Sequence, residues 1–108
     1  MMSFGAAAQK PERGTHTYAV AFDEWQGKPA GATCLVRVIG DSVWIIHNGG
    51  NLSGQKGEVI QKGLLLQHRR SGKWFLGHNR RDIHAKMESP CADGPLWIDA
   101  RRRRVRFC

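Results

Sequence analysis

Three cysteines and five histidines are the residues of this chain best suited to nucleophilic, acid–base or metal chemistry. Cys34 sits in "ATCLVRVI", among apolar and β-branched neighbours, and reads as a buried, inert thiol. Cys91 precedes one strand of the last hairpin and Cys108 ends the other, so antiparallel pairing would bring them together. A Cys91–Cys108 disulfide closing that loop would stabilise the fold by roughly 3 kcal/mol in an oxidising compartment, whereas in a cytosolic protein both would stay reduced. No C-x-x-C occurs, so the spacing does not match a zinc site. His68, His78 and His84 lie near the ends of adjacent segments, but no Cys or carboxylate spacing completes a ligand set, and they read as surface histidines. A Cys91–His84 nucleophile pair can be drawn, yet nothing selects it.

Three strings resemble motifs and fail. In "GNLSGQKG" Gln55 separates Gly54 from Lys56 and glycine follows the lysine, which breaks the phosphate-loop pattern. "HAKMESPCAD" opens as H-x-K, but Cys91 stands where a phospholipase D-type site has its acid. Asn51-Leu52-Ser53 matches a glycosylation sequon, which matters only in a secreted chain. The expectation is therefore a protein that is not an enzyme and uses no metal or cofactor.

What remains is basic and aromatic. The net charge is +8, and residues 1–54, with four Lys/Arg and four acids, contribute none of it. The second half carries the excess, a field that attracts anions. Arg69, Arg70, Lys73, Arg80, Arg81, Arg102, Arg104 and Arg106 are the candidate anion-binding residues, and Trp74 and Trp97 the candidate stacking residues. Cations for phosphates and aromatics for bases are what small nucleic-acid-binding β-barrels present. The expected function is a binding module for an anionic partner, either nucleic acid or a small anionic ligand. The alternative is a secreted or periplasmic ligand-binding or structural domain, with the Cys91–Cys108 disulfide and a charge that only solubilises.

The elements that must position these residues show period two. In "THTYAVAF" Tyr18, Val20 and Phe22 share one face. "DEWQGKPAG" reads as a loop. Residues 32–39 and 42–47 read as a hairpin about Gly40-Asp41, a pair suited to a type II′ turn. "NGGNLSGQKG" is a loop, and Gly63 within "EVIQKGLLLQHRR" suggests a bulge or bend. Ser71-Gly72 leads into "KWFLGH" as a second hairpin. "NRRDIHAKMESP" has room for one short helix ending by Pro90, and "CADGP" for a turn.

The last ten residues, "DARRRRVRFC", read as a strand rather than a tail, because Val105 and Phe107 alternate with Arg104 and Arg106. In the strand before, Leu96, Ile98 and Ala100 would face the core while Trp97 and Asp99 face outward. Pairing then sets Asp99 beside an arginine and Trp97 within reach of a guanidinium.

The whole predicts a single all-β domain over residues 15–108, preceded by a disordered segment, residues 1–14. The domain is an antiparallel meander of six to seven strands closed as a barrel, with at most one short helix. No apolar run approaches the ~20 residues of a transmembrane helix, so a soluble protein is expected. As the sequence stands it would be cytoplasmic. Ala6-Ala7-Ala8 before Gln9 resembles the end of a signal peptide, and a start site assigned too far downstream would make the protein periplasmic or secreted.

Overall fold

The computed structural model describes residues 8–22, 28–50, 54–86 and 96–107. Among the described residues seven strands form: β1 (Gly14–Phe22), β2 (Lys28–Ile39), β3 (Ser42–His47), β4 (Val59–Gln67), β5 (Trp74–Gly77), β6 (Leu96–Asp99) and β7 (Arg104–Phe107). They pair in chain order and close into one barrel. Every consecutive pair is antiparallel, but the closing pair, β1 with β7, is parallel, from Ala19↔Arg104 to Phe22↔Phe107. The expected meander is thus antiparallel except at its seam. An odd number of strands that each reverse direction leaves the first and last pointing the same way.

The interior is set by the period-two pattern. Val20, Val36, Ile45, Leu65, Ile98 and Val105 all lie in one buried cluster. Phe107 and Trp74, both partly buried, pack against it. The β2–β3 hairpin forms as expected, with Ile39 paired to Ser42 and Gly40 at φ +59°.

Several local expectations shift. β2 begins at Lys28, inside the segment read as a loop, and Pro29 pairs with Ala21. A register shift between Ala19 and Ala21 absorbs the extra β2 residues, with Gly31 at φ +76° among them. The β4 irregularity also lies elsewhere than Gly63: Ile45 pairs with Gln61 and Ile46 with Val59, leaving Ile60 as the extra residue. Gly63 serves a close approach instead, since a Cβ there would run into the Gly77 carbonyl oxygen and the Leu76 side chain. Of the segment expected to be disordered, residues 8–14 are described; Pro11 among them is buried and Gly14 opens β1.

Within the stretch expected to hold a short helix, the described residues form a 3-10 segment, Arg80–His84, capped reciprocally by Asn79 and Asp82. Asn79 Oδ1 accepts from Arg81 N–H at 2.9 Å, and Asp82 Oδ2 accepts from His78 and Asn79 N–H at 2.9 and 3.1 Å. Its Ile83 packs on a second apolar cluster, Leu66, Phe75 and Trp97. The register Leu66↔Phe75↔Trp97 places these three in a row across β4, β5 and β6, on the face opposite the core. Trp97 therefore points outward, as expected, but is covered, at 5% exposure.

Barrel closure and the close approach at Gly63 can each be tested by one change. Deleting residues 101–108 removes β7 and opens the barrel, so cooperative thermal unfolding by circular dichroism should be lost. Gly63→Ala should destabilise by about 1–3 kcal/mol, the scale of an overpacked core, read as a lower urea midpoint with an unchanged slope.

Candidate functional site

The β6–β7 turn is built around Asp99. Its Oδ1 accepts from Arg102 N–H at 3.0 Å and its Oδ2 from Arg102 Nη1 at 3.2 Å. Arg103 takes the left-handed conformation, φ +52°, which completes the reversal. Its carbonyl then accepts from Ala19 N–H at 2.7 Å, tying the turn to β1. The β4–β5 turn is held comparably. His68 N–H donates to Lys73 O at 2.7 Å, Gly72 N–H to His68 O at 2.9 Å, and Gln67 Nε2 to Gly72 O at 3.0 Å.

Between these two turns lies a groove of about 670 Å³. Lys73, Arg101, Arg102 and Arg106 line it together with Trp74 and Trp97. Asp99 is the one carboxylate in its wall among the described residues, and Ala8 and Gln9 form part of its edge. The register sets Arg106 opposite Trp97 and Arg104 opposite Asp99, as the alternation in the two strands predicts.

Both groove tryptophans have partners within the chain. Trp97 meets Phe75 and His68 edge-on, with ring centroids 5.7 and 5.5 Å apart, and the Lys73 ammonium stands 5.6 Å from its ring centre. Trp74 donates from Nε1 to Ala8 O at 3.1 Å, and Lys10 stands 5.4 Å from its ring centre. Both rings, the candidate stacking residues, thus have partners within the chain.

The other candidate cations lie elsewhere. Arg69 and Arg70 line a separate hollow of about 230 Å³ with His84 and Lys86. Arg80 pairs with Asp41 at 3.2 Å, and both side chains are about 70% exposed. Such a pair contributes little to stability. Arg81 is exposed on the 3-10 helix, and Arg104 is half-buried outside the groove. Arg101, which was not among the sequence candidates, joins the groove, and the arginine run was the signal for it.

Of the chemically reactive residues, His68 serves the fold. His68 is buried, not at the surface. Its Nδ1 receives the Ser71 hydroxyl at 2.8 Å and the Ser71 N–H at 3.2 Å, and its other ring nitrogen, Nε2, bonds Ala85 O at 2.8 Å. A backbone donor at Nδ1 assigns the proton to Nε2. His68 thereby ties the β4–β5 turn to the end of the 3-10 helix. His78 and His84 are exposed. Among the described residues no group of three His, Cys, Asp or Glu is placed to hold a metal ion. Cys91 and Cys108, and so the disulfide between them, lie outside the described residues. Cys34 is a free thiol, and burial pushes its pKa up to about 12. Burial is also the largest influence on Tyr18, whose pKa it raises.

No protein-family model matches the chain, and no curated protein or solved structure does either. Fold and groove define the class by themselves: a small seven-stranded mixed β-barrel with a basic, aromatic-edged groove beside its closing seam. No helix among the described residues is long and apolar enough to cross a membrane.

The buried thiol gives a pH prediction. An unfolded chain loses the Cys34 proton above about pH 9 while the folded chain keeps it towards pH 12, so the unfolded state binds fewer protons in that window. Stability present below pH 9 should therefore fall as pH rises through it, with Tyr18 acting in the same direction. Urea midpoints at about pH 8, 9.5 and 10.5 should decline, and less steeply in Cys34→Ala. Native protein near neutral pH should resist a thiol-specific disulfide reagent at Cys34 until it is unfolded.

Proposed function

We propose that the protein is a non-catalytic binding module that takes an anionic ligand, a nucleic-acid phosphate segment or a small anion of similar size, in the groove beside the β6–β7 turn. The observation that carries this reading is the convergence of Lys73, Arg101, Arg102 and Arg106 on one cleft with a single carboxylate, Asp99, already engaged by Arg102. A volume of about 670 Å³ falls in the range of ligand clefts. The cations come from two turns and from β7, so they approach one ligand from several sides. The net charge of +8 adds a field that draws anions towards the surface.

Titration of labelled single-stranded and duplex oligonucleotides at several salt concentrations tests this reading, with pyrophosphate followed by calorimetry as the small anion. Removing one phosphate-binding cation, in Lys73→Ala or Arg101→Ala, should reduce the magnitude of the log K against log salt slope by about 0.7–0.9. The effect should be alike across sequences. Arg80→Ala, outside the groove, should leave the slope unchanged. Failure of both oligonucleotides and pyrophosphate to bind at about 100 µM in low salt would sink the proposal, since ordinary non-specific association is at least that tight.

A further inference from the structure

A second basic and aromatic surface lies on strands drawn mostly from the half of the chain that carries no net charge. Strand register places Thr15, Arg37, Trp44 and Lys62 in one row across β1, β2, β3 and β4. Neighbours in such a row have Cβ atoms about 4.5–5.5 Å apart, so Trp44 is flanked directly by two cations. Arg37 and Lys62 are exposed and Trp44 is half-buried. The row faces away from the core, because Val36 and Ile45, the next residues along β2 and β3, are buried inside.

Trp44 differs from the groove tryptophans. Trp74 is occupied by Ala8 and Lys10, and Trp97 is enclosed. Among the described residues no ring or cation stands over Trp44. Arg37 is held in place by one bond from Nε to Thr15 Oγ1 at 3.0 Å, which orients the guanidinium without burying it. Beside Trp44 a hollow of about 340 Å³ is lined by Ser42, Lys62, Leu64 and His78. Ile39, 57% exposed, extends the apolar surface along the same face. The row itself, Thr15, Arg37, Trp44 and Lys62, contains no carboxylate.

We infer that the outer face of β2–β3–β4 is a second binding site, at which Trp44 stacks an unpaired base of single-stranded nucleic acid while Arg37 and Lys62 meet the flanking phosphates. An aromatic ring between two cations matches the alternation of base and phosphate along a strand. A paired base has both faces covered by its neighbours in the duplex, so the occupant is single-stranded. The inference rests on the proposed anion-binding reading for the class of ligand, but it uses a different face and different residues.

The test is fluorescence anisotropy of a labelled oligothymidylate and an abasic strand of the same length, at one low salt concentration. Wild type should bind the oligothymidylate more tightly than the abasic strand. Trp44→Leu, which keeps apolar bulk without a stackable ring, should lose about 5- to 150-fold for the oligothymidylate and little for the abasic strand. Trp44→Phe should retain most of the affinity, and it carries the comparison with wild type and the abasic strand if the leucine variant melts early. Lys62→Ala should weaken both strands alike. The paired groove variant Lys73→Ala/Arg101→Ala should also weaken both strands, leaving the Trp44 effect in place. Equal binding of base-bearing and abasic strands by wild type, or an unchanged affinity in a folded Trp44→Leu, would overturn the site while the groove's own salt dependence stands. No binding of either strand would overturn it as well, and pyrophosphate binding would then judge the groove separately.

Discussion

Seven strands joined by reversals must close with β1 and β7 parallel, and the seam that results is short. It runs over four residue pairs, Ala19↔Arg104 to Phe22↔Phe107. A parallel pair cannot be joined by a tight turn of its own, so its alignment depends on how β7 is delivered by the β6–β7 turn. Asp99 holds that turn through Arg102, Arg103 adopts a backbone conformation unusual for a side chain of its size, and the Arg103 carbonyl docks on Ala19 N–H. Val105 then enters the core with no exposure. Arginines of this turn also furnish the groove, so closure of the barrel and assembly of the basic site are one event.

The barrel interior is packed with side chains. Val20, Val36, Ile45 and Val105 meet within it at essentially no exposure, as expected of a barrel this small. The interior leaves no room for a ligand, and charge and aromatic surface are found on the outside and the rim, where the proposed binding is placed. Part of the outer face is itself covered: the 3-10 helix brings Ile83 onto Leu66, Phe75 and Trp97, and His68 closes the edge of that cluster. Edge-on aromatic contacts of this kind contribute about 0.5–1.5 kcal/mol each beyond their buried area. Residues that look functional in isolation, a histidine, a tryptophan and an aspartate, are thereby committed to holding turns and packing an external cluster.

Much of the fold was legible because period two is a local property. Tyr18 and Val20 in β1, the Gly40 turn, and the Val105–Phe107 alternation in β7 each declare which way a residue faces without knowledge of the partner strand. Even the register position of Arg104 opposite Asp99 followed from alternation on two adjacent strands, though the carboxylate bonds Arg102 in the turn. The start of β2 was not legible, because Pro29 and Gly31 carry loop statistics, while an irregularity that takes up Gly31 lets Pro29 pair with Ala21. Gly63 was read as a bend for the same reason, though its role is to admit the Gly77 carbonyl from the next strand.

By itself, then, the sequence determined an all-β chain, its hairpins, the inward and outward faces of its strands, and a basic second half. Tertiary structure alone decided the parallel closing seam, the covering of Trp97, and the division of the basic residues into a groove with Lys73, Arg101, Arg102 and Arg106, a separate Arg69–Arg70 hollow, and Arg80 paired to Asp41. It also decided that Lys62 stands beside Trp44, which faces Arg37 across the β2–β3 hairpin. The physical reason is that alternation fixes the direction of a side chain, whereas its neighbours and its exposure depend on which strands and which helix close over that face.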